Sequence, residues 1–130
     1  MIRCVRLWTG PDQNSHVEEG RLDLETGPRG DIRTNVLDAT TISFEETASG
    51  GSFAWHTAPA RQLVITLSGT LKFLTRDGEE FLLRPGDVLF AEDTVGSGHR
   101  WSLVDEQPWR RAYVVLRAGA AVPFVGNRRT

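Results

Sequence analysis

From residue 63 onward the chain alternates short apolar runs with turn signals. Leu63-Val64-Ile65-Thr66-Leu67 is β-branched and apolar, the composition that suits a pleated, half-buried strand. Ser68-Gly69 breaks the run, and Leu71-Lys72-Phe73-Leu74 resumes an extended pattern. Asp77-Gly78 predicts a two-residue type I′ hairpin turn, which needs positive φ at both central positions, with residues 79–83 as the return strand. After Arg84-Pro85-Gly86-Asp87, the run Val88-Leu89-Phe90-Ala91 predicts a short buried strand ending at Glu92-Asp93. Past a Gly-rich loop at 94–98, His99-Arg100-Trp101-Ser102-Leu103 alternates so that His99, Trp101 and Leu103 share one face. A last strand is expected over 109–116.

The first half is less regular. Residues 2–8, 17–24 and 40–46 read as strands, separated by Gly10-Pro11-Asp12 and by Gly27-Pro28-Arg29-Gly30-Asp31. No window of a dozen residues carries a 3.6-residue apolar period free of Gly or Pro, so at most one short helical turn is expected, near 35–39. Many short strands at close turn spacing predict an all-β sandwich or barrel. The tail from about 126 to 130, Gly126-Asn127-Arg128-Arg129-Thr130, has too little apolar content to pack and is expected to fray.

Composition narrows the class. With 130 residues, 39% hydrophobic and 25% charged, the chain is expected to form one soluble globular domain over 1–130. A formal charge of −2 argues against a protein that works by neutralising nucleic-acid phosphates. The lone Cys4 allows no internal disulfide, so a cytoplasmic location is expected. The apolar run at the start is interrupted by Arg3 and Arg6, unlike a signal peptide. No stretch approaches the ~18 to 20 apolar residues of a spanning helix, and no membrane partner is expected. A zinc-type Cys pair, a Gly-x-Ser-x-Gly elbow and a phosphate-cradling Gly loop are all missing from the sequence.

The stretch from Gly50 through Trp55-His56-Thr57-Ala58-Pro59-Ala60-Arg61-Gln62 to Gly69 resembles the first motif of the cupin superfamily. In that motif a Gly, two His, a Glu and a second Gly recur at intervals matched here by Gly50, His56, Ala58, Gln62 and Gly69. Pro85-Gly86-Asp87 and the later His99 resemble the second motif. The resemblance covers about residues 40 to 116 and is strongest to small single-domain bacterial cupin-domain proteins. It implies a double-stranded β-helix, a jelly-roll barrel with a ligand site inside one mouth. It also implies a homodimer and a divalent metal such as iron, nickel, manganese or zinc. Two of the family's four usual metal ligands are replaced, one His by Ala58 and the Glu by Gln62, and His99 lies two residues further from the Pro-Gly-Asp turn than usual.

The candidate chemistry follows from these positions. His56, Gln62 and His99 form the candidate metal set; a neutral amide is a weaker ligand than a carboxylate. Glu92 and Asp93 are candidate proton carriers, or carboxylates that hold an imidazole tautomer. Arg61 either offers a bidentate donor to a carboxylate substrate or forms a surface ion pair. Trp101 either lines the pocket beside His99 or serves, like Trp55, as core or barrel wall. His16 or Glu18 would join the site if the amino-terminal strand crossed the barrel mouth; otherwise they mark an exposed strand edge. Arg110-Arg111 reads as a solvated face. Together these features predict a metal-dependent cupin acting on a small organic molecule by oxygenase, lyase or isomerase chemistry. The alternative is a metal-free small-molecule binding module.

Overall fold

The computed structural model describes residues 1–127. Thirteen strands follow one another: β1 (Arg3–Thr9), β2 (Ser15–Leu22), β3 (Glu25–Thr26), β4 (Ile32–Arg33), β5 (Ala39–Thr47), β6 (Ser52–His56), β7 (Gln62–Ser68), β8 (Leu71–Thr75), β9 (Glu80–Leu83), β10 (Val88–Glu92), β11 (His99–Leu103), β12 (Trp109–Leu116) and β13 (Phe124–Gly126). A single 3-10 turn, Pro28–Gly30, stands between β3 and β4. No α-helix is present among the described residues, and no helix is long and apolar enough to cross a membrane.

Seven strands make the larger sheet, in the order β13-β2-β1-β10-β7-β12-β5, and four make the smaller, β6-β11-β8-β9. Both are built from antiparallel pairs except β1 with β10, which run parallel. The arrangement is the jelly-roll barrel, an all-β double-stranded helix. The inward sets of the two sheets meet in one apolar cluster. Val5, Leu7, Val64, Leu89 and Trp109 come from the larger sheet, and Leu71, Phe73, Phe81, Leu83 and Trp101 from the smaller. Phe73 stacks on Phe81 at 4.9 Å, and Trp101 meets Trp109 edge-on at 4.6 Å, pairings worth about 0.5–1.5 kcal/mol each beyond area burial. A second cluster, with Cys4, Leu63, Val88, Phe90 and Leu116, lies on the outward face of the larger sheet.

Three local readings change. The expected helical turn at 35–39 does not form. Ala39 instead begins β5 opposite Leu116, and the Arg117 N–H donates to the Asp38 carbonyl at 2.9 Å, so ladder bonds outweigh local helix. The β8–β9 connection is not a type I′ turn. The Gly78 N–H closes onto the Thr75 carbonyl at 3.1 Å and only Gly78 takes a positive φ, 89°, the longer hairpin loop with a glycine bulge. At the carboxyl end, Gly126 pairs with Gly20 in β13–β2, so the expected fraying does not start there. Arg128, Arg129 and Thr130 lie outside the described residues.

Candidate functional site

β6 is the edge strand from which His56 projects, and its geometry rests on one extra residue. His99 opposes His56 and Trp101 opposes Phe53, so the single Arg100 of β11 faces two residues of β6, a bulge at Ala54 and Trp55. Strand alternation alone would put Phe53 and His56 on opposite faces; the inserted residue brings both inward. The His56 Nδ1–H donates to the bulge carbonyl of Ala54 at 2.7 Å. Gly98 holds φ 76°, and a Cβ there would run into the His56 carbonyl. Only glycine lets the preceding loop pass this close.

His99, 4% exposed, is the register partner of His56, and the two ring centroids are 4.5 Å apart. Its Nδ1 donates to Asp93 Oδ2 at 2.5 Å. Asp93 is fully buried, and the same oxygen accepts the Ser15 hydroxyl at 2.6 Å. The other oxygen, Oδ1, is buried without a hydrogen-bond partner among the described residues. Both histidines therefore commit Nδ1 to the protein and leave Nε2 as the nitrogen that can meet a ligand. Burial holds the His56 imidazole below its ordinary pKa, and the neighbouring His99 acts in the same direction.

These rings line a cavity of about 500 Å³ between the sheets. Gln62, 6% exposed at the start of β7, lines it too, as does the methyl of Ala58. Trp101 lines it on the His99 face of β11, while Phe53, Val64, Phe73 and Trp109 complete most of an apolar wall. Trp55 does not join the core. It lies half-buried on the outside of the smaller sheet, with the Arg76 and Arg100 guanidinium carbons 4.0 and 5.4 Å from its ring.

The other residues named from the sequence lie outside the cavity lining. Glu92 and Arg61 are absent from the cavity lining. Glu92 follows Ala91 in β10 and turns outward, where it accepts from Arg6 and from Arg61 Nε at 3.2 Å. Arg61 also lies over the Phe90 ring at 5.1 Å. Asp93 reaches the cavity only through His99. Glu18 faces Arg6 at 3.1 Å on the outward side. β2 is separated from the cavity-lining strands by β1, so His16 stands apart from the site. His16 Nε2 contacts Asp12 at 2.9 Å, and its Nδ1 faces Asp77 and Glu79 at 3.9 and 3.6 Å.

Arg111 is the residue that the sequence reading misplaced. Arg110 is solvated and pairs with Glu46 at 2.6 Å, but Arg111 is only 4% exposed and lines the cavity. Its guanidinium lies 3.9 Å from the Trp109 ring centre and 5.5 Å from that of Tyr113. The signal was present: residues 109, 111, 113 and 115 alternate onto one face of the predicted strand.

The donor set does not suit a resident divalent metal. The four positions that match the family's ligands carry two imidazoles, one neutral amide and one methyl, at His56, His99, Gln62 and Ala58. Catalytic centres of this kind hold their ion with about three protein ligands, commonly with a carboxylate among them or an all-imidazole set. Asp93, the nearest buried carboxylate, is already committed to His99 and Ser15.

A family model described as a cupin domain matches residues 43–121. Among solved structures, a cupin superfamily protein from Desulfitobacterium hafniense is similar, with 19% identity over 72% of this chain and 97% of that one, at a TM-score of 0.46. No curated protein sequence matches. The matched span holds both histidines, Gln62 and all the strands that wall the cavity, and on that span the chain belongs to the cupin family.

Proposed function

We propose that the cavity binds a small organic molecule and moves a proton on it with the paired imidazoles, without a resident metal. The observation that carries this reading is the register pair itself. Two histidines 4.5 Å apart each hold Nδ1 on the protein and present Nε2, within a largely apolar wall. His99 is the proton acceptor in this scheme, because the hydrogen bond from its Nδ1 to the buried Asp93 carboxylate fixes its tautomer and leaves Nε2 free to take the proton. Asp93 is thus a positioning residue. His56, kept neutral by burial, orients the ligand or returns the proton. The apolar wall supplies the low-dielectric surroundings in which such a pair is effective.

The test is a thermal-shift screen of small organic acids, alcohols and amides, followed by proton NMR of each stabilising compound in D2O. Deuterium exchange into a bound compound that disappears in His99→Gln, with the fold retained, supports the scheme. Exchange that survives in both His56→Ala and His99→Ala overturns it.

The metal-dependent reading keeps one specific support, since both Nε2 lone pairs and the Gln62 amide belong to one cavity. Metal analysis of protein purified without an affinity tag decides between the two. Near-stoichiometric iron, nickel, manganese or zinc, lost in His56→Ala and His99→Ala, favours the metalloenzyme.

A further inference from the structure

Arg111 is a buried cation whose partners are unequal. Nη1 donates to the Thr47 hydroxyl at 2.7 Å and to the Trp109 carbonyl at 3.1 Å, and Nε donates to the Tyr113 hydroxyl at 3.2 Å. These neutral groups and the Trp109 ring fix the plane of the guanidinium. Its charge is met by one carboxylate, that of Glu45, 3.1 Å from Nη2. Glu45 stands directly opposite Arg111 on β5, the outermost strand of the larger sheet, and its side chain is 58% exposed where that of Arg111 is 5% exposed. A guanidinium has five N–H donors. Four of them are placed in these bonds among the described residues, so one hydrogen of Nη2 remains beside the one that Glu45 holds. Both residues line the cavity.

An exposed, rotamer-rich carboxylate is a weak tether, because water competes for it and ordering it costs entropy. A buried guanidinium, by contrast, strongly favours an anion held in place. The two Nη2 hydrogens can therefore exchange a carboxylate of the protein for one of a ligand without moving the arginine.

We propose that the cavity selects small organic carboxylates: the ligand's carboxylate takes the Arg111 Nη2 position, and Glu45 acts as a built-in stand-in that swings to solvent when it arrives. The Arg111 guanidinium lies 6.0 Å from the Trp101 ring centre, and His99 precedes Trp101 by two residues on the same face of β11. A ligand anchored on Arg111 would then lay its apolar body along Trp101, toward the imidazoles. This inference rests on the proposed binding function and names the chemical class that the site takes.

Benzoate and benzamide, equal in shape and different in charge, test it by calorimetry on wild type, Glu45→Gln and Arg111→Lys. Glu45 is exposed, so Glu45→Gln retains the fold. That variant is expected to tighten benzoate by about tenfold, through removal of a like-charge competitor, and to leave benzamide unchanged. Arg111→Lys keeps the charge but loses the planar fork, and is expected to weaken benzoate. If benzamide binds wild type as well as benzoate does, or Glu45→Gln leaves benzoate unchanged, carboxylate selection is overturned while the binding pocket stands. If neither compound binds any of the three proteins, the carboxylate proposal falls, and a blank thermal-shift screen beside it would take the binding function with it.

Discussion

On the outward face of the larger sheet, Arg6, Arg61, Glu18 and Glu92 are half-buried and answer one another, two cations against two carboxylates. On the inward face the charges are held unevenly. Among the described residues, Asp93 has one oxygen that accepts two hydrogen bonds and one with no partner, and Arg111 has a guanidinium fixed by neutral groups and a single exposed carboxylate. Reciprocal pairing at partly exposed positions is worth little and asks for nothing more. Uneven pairing at buried positions costs stability, and at Arg111, which lines the cavity, it leaves a donor open to a ligand.

The sharpest way to break the comparison is Asp93→Ala. Removing one partner of a buried pair is expected to cost about 3–5 kcal/mol, read from the urea unfolding midpoint at constant slope. Asp93→Asn should cost less and yet move the His99 tautomer, which nitrogen-15 spectra of the imidazole report. Glu92→Gln, next door in sequence, should cost no more than about 1 kcal/mol and leave both imidazoles as they were. Equal losses at the two positions would erase the distinction between the faces.

The two kinds of histidine give a pH contrast of opposite sign. His56 has its pKa lowered by burial first and by His99 next. Its unfolded form therefore takes up a proton before its folded form does. The contribution of His56 to stability is fully present above its unfolded pKa, about 6.5, and is lost as pH falls through the folded value. His16 has its pKa raised, chiefly by its hydrogen bond to Asp12. Its contribution is present below the unfolded pKa and is lost as pH rises through the folded one. NMR titration should place His56 below and His16 above the ordinary value, and Asp12→Asn should reduce the upward shift, leaving the part that Asp77 and Glu79 supply. The His16 effect on stability is small, since the pair it makes with the exposed Asp12 is screened by solvent.

The smallest expected effect concerns Cys4. Burial pushes its thiol up to about 12, so it stays protonated and out of reach at neutral pH. A thiol reagent should label the native protein slowly and the unfolded protein at once. Because the folded pKa is the higher, stability should decline as pH rises from about 9 toward 12. Rapid labelling of the native state at pH 7 would contradict the burial described for the outward cluster.

Much of this was legible in the sequence for physical reasons. The strands of the second half announce themselves through β-branched runs between glycine turns, and the alternation 99, 101, 103 placed His99 on the inward face. The pairing of His56 with His99 was reachable only through the motif resemblance. What stayed hidden depends on long-range register. The Ser52–His56 strand is short and its bulge breaks the alternation that would declare it, β3 and β4 are two-residue ladders, and β13 exists only because β2 offers it an edge. Arg61 takes the ion-pair reading that the sequence had left open, and its partner Glu92 turns away from the cavity. Arg111 was passed over although its alternation with Trp109 and Tyr113 was on view.

The bulge in β6 makes the site a matter of residue count as much as of residue identity. Ala54 contributes a carbonyl and a length of backbone, so replacing its side chain leaves that arrangement untouched. Removing the residue would turn His56 to the opposite side of the strand. A library of substitutions across 52–56 would record Ala54 as dispensable, whereas a library of single-residue deletions would find it indispensable. Diversification of this cavity should therefore proceed by exchange of side chains at fixed length, with β6 as the segment least able to gain or lose a residue.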